Sequence, residues 1–160
     1  MSSTTLERRH QGLSRPLRTT GRVVVGVNGS ARSRAALRQA ADIARARNWT
    51  LHIVYAWHFV PFRTSDFGSS YTELAAAMSQ GADPTVRDAE IAVLGENSDL
   101  DVLRSVKEGS PSHVLVDMTK GADLIVIGGP AHVGITGHIP GSVSHACLTH
   151  AQCPVMVVRS

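Results

Sequence analysis

The sequence predicts an α/β domain: a doubly wound parallel sheet with helices on both faces. Three observations predict it. The runs "RVVVGV" (22–27) and "DLIVI" (123–127) are short, continuously apolar and rich in β-branched residues, the pattern of strands buried on both faces. Between such runs lie amphipathic segments of crossover length, giving the order β-α-β-α-β-α-β-α-β. The chain has 160 residues, 42% of them hydrophobic, which suits one domain able to bury a core without disulfide or metal.

The elements follow in order. After the first strand, "NGSARSRAALRQAADIARARN" places Ala36, Leu37, Ala40, Ile43 and Ala44 on one helical stripe with arginines opposite, and Ser30 or Ser33 is positioned to cap its start. "TLHIVYAW" (50–57) reads as strand two, and "HFVPFRTSDFGSS" as a long excursion beyond it. Residues 71–96 read as two helical pieces split at "GADP", with Asp83 as N-cap and Pro84 in the first position of the second piece. "DVLRSVKE" (101–108) is a weaker strand. Ser110 and Pro111 then open a short helix that Gly121 helps to end. "ADLIVIGG" is the clearest buried strand, "SVSHACLTH" (142–150) the last helix, and "PVMVV" (154–158) the last strand.

Charge narrows the function classes. The formal net charge is +3, but residues 1–20 carry Arg8, Arg9, Arg15 and Arg18 against Glu7 alone, leaving twelve charges of each sign in the remainder. The body is therefore neutral and lacks the basic stripe of a duplex-binding surface, so no nucleic-acid partner is expected. Residues 1–20 read as a disordered basic tail and 21–160 as the domain. No run approaches the roughly 18 apolar residues of a membrane span, and the N-terminus lacks a signal-peptide core. Cys147 and Cys153 form neither a disulfide framework nor a zinc spacing. Together these predict a cytoplasmic protein without a membrane partner.

The densest chemistry lies in "GGPAHVGITGHIPGSVSHAC" (128–147). Gly128, Gly129, Gly134, Gly137 and Gly141 allow positive φ and close approach of backbone to a ligand, and Ser142 begins a helix whose free N–H groups favour an anion. Composition alone fits a phosphate cradle and a flexible connection equally. There is no G-x-x-x-x-G-K-[ST], and no G-x-G-x-x-G follows strand one, so P-loop and dinucleotide folds are disfavoured. In a sheet of this kind, ligands bind beyond the carboxyl ends of the strands where the strand order reverses. The loops after Val27 and Ile127 both lie there.

The spacing resembles the universal stress protein family, whose nucleotide-binding members carry G-x2-G-x9-G-[ST] between the fourth strand and the last helix. Here Gly128, Gly141 and Ser142 match, and Ala131 replaces the second glycine. "VVVGVNGSARSRAALRQAADIARA", "EGSPSHVLVDMTKGADLIVIGG" and "GSVSHACLTHAQCPVMVV" resemble the family's flanking segments. The resemblance implies a Rossmann-like five-stranded sheet of order 3-2-1-4-5 and binding of ATP or a related adenine nucleotide, AMP or cyclic AMP included, with room for Mg2+ beside ATP. It places adenine near Gly26, Val27, Asn28 and Ala56. The ribose falls beside Gly128, and the phosphates against Ala131, His132, Gly141, Ser142 and Val143, with the Ser142 and Ser144 hydroxyls adding hydrogen bonds. Asn28 stands where the family usually has an acid, His132 where it often has Arg or Lys, and Pro130 and Pro140 each remove a loop N–H. These departures imply modest triphosphate affinity. The implied role is a stress-response sensor or regulatory module, and a homodimer pairing its C-terminal strands.

The same residues allow three other readings. His132, His138, His145, His150, Cys147 and Cys153 are potential metal ligands, but no coordinating spacing emerges on a helix starting at Ser142, so no metal site is expected. A hydrolase using Ser142 and His145 lacks the G-x-S-x-G elbow and an orienting acid, so no catalytic residues are assigned. A homodimeric interaction module with a weakened or lost nucleotide site is the alternative function. The bare edge of "PVMVV" favours pairing in either case.

Overall fold

Each apolar run forms a strand, and each described segment between them holds a helix. The computed structural model describes residues 21–57, 84–96, 98–129 and 141–159. In order these are β1 (Arg22–Gly26), α1 (Ala31–Arg47), β2 (Thr50–Trp57), α2 (Pro84–Leu94), β3 (Val102–Glu108), α3 (Pro111–Met118), β4 (Leu124–Gly128), α4 (Ser142–His150) and β5 (Val155–Val158). The tail 1–20, the excursion after β2, the first helical piece with Asp83, and residues 130–140 lie outside the described residues.

All strand pairs are parallel and the order is β3-β2-β1-β4-β5, as expected for a doubly wound domain. Val23, Val24 and Val25 of β1 are fully buried because helices cover both faces, which is why this strand is continuously apolar. Val23 and Val25 pack with Leu37, Leu51, Ile53, Val86, Val102 and Val126 under α1 and α2. Val24 packs with Val54, Leu115, Ile125, Ile127 and Cys147 under α3 and α4. Burial of one such aliphatic side chain contributes about 1.5–3 kcal/mol, so these two layers supply most of the driving force for folding.

Helix α1 positions the rest. Ser30 is its N-cap, extended at φ −72° and ψ 158°, and its side chain accepts from Ser33 N–H at 3.1 Å. The buried stripe is broader than the sequence pattern suggested: Ser33 and Ala41 join Ala36, Leu37, Ala40 and Ala44, while Ile43 is only half-buried at the rim. Packing across both β1 and β4 explains the width, and small alanines let the helix axis come close to the sheet. Helix α2 begins at Pro84, as a first-position proline allows, and Glu90 ties it to β3 through a two-bonded fork with Arg104.

The amino ends of the sheet are closed by polar bonds. Arg22 N–H donates to Asp123 Oδ2 at 2.8 Å, and Asp123 N–H donates to the Arg22 carbonyl at 2.9 Å. At the carboxyl ends the chain leaves β1 toward β2 and leaves β4 toward β5, in opposite directions. The two departures open a crevice between the β1 and β4 ends.

Candidate functional site

The crevice is built from three chain segments. The first is the turn after β1. Val27 N–H donates to the Val54 carbonyl at 2.9 Å, prolonging the ladder by one bond, and its side chain is buried in the α1 layer. Only the backbone of Val27 therefore faces the crevice. Asn28 is exposed; its Oδ1 accepts from Ser30 N–H at 3.1 Å and its N–H donates to Ser33 Oγ at 3.3 Å. Ser33 Oγ donates in turn to the Ser30 carbonyl at 3.0 Å. This closed set of bonds fixes the turn at the start of α1, and one lone pair of the Asn28 carbonyl is left for another donor.

The second segment is the end of β4. A Cβ on Gly128 would lie 2.8 Å from the carbonyl carbon and oxygen of Arg32 and 3.1 Å from its Cβ. Glycine is required here so that the first turn of α1 can lie against β4. Gly26 is similar on the other face, where a Cβ would lie 2.6 Å from Leu115 Cδ1.

The third segment is the start of α4. Gly141 is its N-cap at φ −51° and ψ 154°, makes no side-chain capping bond, and among the described residues has nothing within 4 Å of its Cβ position. The first helical bond runs from His145 N–H to the Gly141 carbonyl at 2.9 Å, so the Ser142, Val143 and Ser144 amides have no intrahelical acceptor. Ser142 is exposed, Val143 is half-buried against the α3–α4 layer, and Ser144 is buried at 4% exposure. Of the two serine hydroxyls, only that of Ser142 stands open to a ligand.

One expectation is corrected here. The loop glycines allow positive φ, but Gly128, Gly129 and Gly141 do not adopt it; the described glycines with positive φ are Gly29, Gly95, Gly109 and Gly121. Gly128 and Gly129 are small because neighbouring elements crowd them, whereas nothing among the described residues covers Gly141. Gly134 and Gly137, together with the site positions Ala131 and His132, lie outside the described residues. Ala56 sits in the last turn of pleat of β2, half-buried and paired in register with Lys107.

Other titratable groups are elsewhere. Cys147 is fully buried, and burial pushes its thiol up to about 11; Cys153, half-buried, packs against the same layer and is also raised. Both are free thiols that act as packing residues. His145 is exposed one turn after Ser142, and no carboxylate among the described residues bonds its ring. Among the described residues no group of three or more His, Cys, Asp or Glu is arranged to hold a metal ion. His138 lies outside them.

Sequence reasoning missed one buried group. His52, within strand β2 and only 6% exposed, has Nε2 at 2.8 Å from Ser105 Oγ on β3, and its Nδ1 has no partner among the described residues. Burial first, then the charges of Arg22 and Lys107, lower its pKa from 6.5 to about 4. A histidine in the middle of "TLHIV", flanked by aliphatic residues, was the available signal.

The geometry defines a class: a doubly wound parallel α/β domain whose crevice opens at the β1/β4 switch point, beside an uncapped helix start. Within that class, the chain belongs to the universal stress protein family, whose profile matches residues 19–159. It is 33% identical over 140 residues to a universal stress protein of Mycobacterium tuberculosis, covering 86% of this chain and 45% of that protein. The chain thus spans about half the length of the mycobacterial relatives it matches. A universal stress protein of Methanocaldococcus jannaschii is 24% identical over 140 residues, covering 86% of this chain and 81% of that one. Among solved structures, the universal stress protein UspA of Lactobacillus plantarum superposes with a TM-score of 0.68 at 25% identity, over 89% of this chain and 99% of that one. A universal stress protein solved in complex with cAMP superposes with a TM-score of 0.58 at 25% identity, over 89% and 98%. No helix among the described residues is long and apolar enough to cross a membrane.

Proposed function

We propose that this domain binds an adenine nucleotide at the carboxyl ends of β1 and β4 and acts as a regulatory module rather than an enzyme. The observation that carries the reading is the start of α4. Among the described residues nothing covers Gly141, thirteen residues after Gly128; three amides lack intrahelical acceptors, and Ser142, the next motif position, is exposed. Amides at a helix start attract phosphate oxygens, and the open Cα of Gly141 lets them approach. The turn at Gly26, Val27 and Asn28 and the backbone near Ala56 would take the base, with the Asn28 carbonyl accepting from the adenine amine. The cAMP complex of a related protein supports the same ligand class.

The test is calorimetry of purified protein with ATP, AMP and cyclic AMP, with Mg2+ present and absent for ATP. Saturable heat and a rise in melting temperature are expected with at least one of them. No heat and no thermal shift at millimolar ligand would remove the claim.

A homodimer through β5 is part of this proposal. Among the described residues β5 pairs only with β4, and Met156 on it is 37% exposed. An unpaired apolar edge is a template for a second copy of itself. Light scattering at micromolar concentration should give twice the 17.0 kDa chain mass, and Met156→Lys should shift the equilibrium toward monomer. A wild-type monomer would overturn it.

A further inference from the structure

We propose that Cys147 and Cys153 form a reversible thiol–disulfide switch beneath α4, closed by a hydroperoxide and reopened by a thiol reductant. The switch is independent of the nucleotide reading.

The fold turns the two thiols into one layer from opposite sides. Because β4 and β5 are parallel, α4 runs back against them, and the chain reverses between His150 and Val155. Cys147 lies in the last turn of α4 and is fully buried against the sheet, in the cluster of Val24, Ile125 and Ile127. Cys153 precedes Val155 by two residues and Val157 by four, so it shares their face of the sheet, and all three pack against that cluster. One thiol comes from the helix above and the other from the strand entry below. Their mutual influence agrees: after burial, it is the Cys153 charge that raises the Cys147 thiol to about 11.

Cys153, half-buried where Cys147 is closed off, is the thiol an oxidant reaches first. Burial raises its pKa, the Ile125 N–H bond lowers it, Asp123 raises it and Arg22 lowers it. Burial keeps the thiolate scarce at neutral pH, so the switch answers sustained rather than brief exposure to oxidant. In the first step the Cys153 thiolate sulfur attacks a peroxide oxygen. The S–O bond forms as the O–O bond breaks, and the departing oxygen leaves with the electron pair and takes up a proton as water or alcohol. In the second step the Cys147 sulfur attacks the Cys153 sulfenic acid. The S–S bond forms as the S–O bond breaks, and the hydroxyl leaves with the Cys147 proton as water. Two thiols have lost two electrons to one hydroperoxide.

The connection between the thiols is pinned on both sides of Cys153. Gln152 N–H donates to Thr119 Oγ1 at 3.0 Å, and Ile125 N–H donates to the Pro154 carbonyl at 3.0 Å. Both cysteines are free thiols in this structure. A disulfide holds its Cβ atoms about 3.5–4.5 Å apart at a fixed torsion, so closing it draws Cys153 toward Cys147 and pulls on these two bonds. Oxidation thereby loosens the entry to β5.

The experiment treats the reduced protein with hydrogen peroxide and follows intact mass, free thiols after denaturation, and amide hydrogen exchange. Wild type should lose both thiols together and two hydrogens in mass, run as a single chain on a non-reducing gel, and recover both thiols with dithiothreitol. Peptide mapping should place the link between Cys147 and Cys153. In Cys147→Ala, Cys153 should instead stop at a sulfenic acid that dimedone traps, whereas Cys153→Ala should leave Cys147 reduced. The Ile125 and Gln152 amides should exchange at least about tenfold faster in oxidised wild type. Oxygen added to Cys153 with Cys147 still free would overturn the switch, as would a link between two chains. So would thiols that stay unreacted while those of the urea-unfolded chain are consumed, or a disulfide that leaves exchange at Ile125 and Gln152 unchanged. The wild-type masses decide the matter even where an alanine variant fails to fold.

Discussion

Acidification from pH 6.5 to 4 is expected to remove about 3 kcal/mol of stability through His52 alone, at about 1.4 kcal/mol for each pH step between its ordinary 6.5 and the lowered value of about 4. The sign follows from the depressed pKa. Above pH 6.5 the imidazole is neutral in both folded and unfolded chains, so its contribution is complete. Below 6.5 the unfolded chain takes up a proton that the folded chain refuses until pH reaches about 4, so stability falls with pH across that window and then levels off.

The cause is structural. In either neutral tautomer, Nε2 and Ser105 Oγ share one hydrogen bond and Nδ1 has no partner among the described residues. The protonated ring carries an N–H on both nitrogens, so Nδ1–H would be buried without an acceptor and the ring's charge would feel the positive charges of Arg22 on β1 and Lys107 on β3. Urea unfolding of wild type and His52→Gln between pH 7 and pH 4 checks this, since the carboxylates titrate alike in both. Wild type should lose about 3 kcal/mol more than the variant. Parallel curves would show that His52 carries no such linkage.

Replacing Gly128 by alanine is expected to cost about 1–3 kcal/mol and to weaken nucleotide binding, because backbone rather than a flexible side chain blocks the new methyl group. At 2.8 Å from the Arg32 carbonyl group, the methyl must push the first turn of α1 away from β4, and with it the Asn28 turn. Gly141→Ala is the informative counterpart. Its φ is −51° and nothing among the described residues lies within 4 Å of the added methyl, so stability should stay within about 0.5 kcal/mol of wild type. Thermal melts of both variants, paired with ATP titration, separate a glycine needed for packing from one needed for access. Equal destabilisation by the two substitutions would refute the distinction.

The elements were legible because local pattern and burial agree. Residues 50–57 and 142–150 match β2 and α4 residue for residue, and Pro84 and Pro111 mark the starts of α2 and α3, where a missing N–H costs nothing. β1 ends one residue earlier than expected, at Gly26, although Val27 still makes a ladder bond to Val54. The motif glycines were legible as positions but not as reasons. Spacing marked Gly128 and Gly141, yet one is small because α1 leans on it and the other is bare, a difference between neighbours that are distant in the chain.

Strand type, helix starts and the family register are properties of short windows, in which side-chain period, capping residues and prolines act on adjacent backbone. They can be read from the amino-acid sequence without the fold. The proton refused by His52 and the crowding of Gly128 by Arg32 depend on residues 53 and 96 positions apart in the chain being brought into proximity. Such contacts arise only when the sheet closes in the order β3-β2-β1-β4-β5, because burial and charge are set by what surrounds a group rather than by what precedes it.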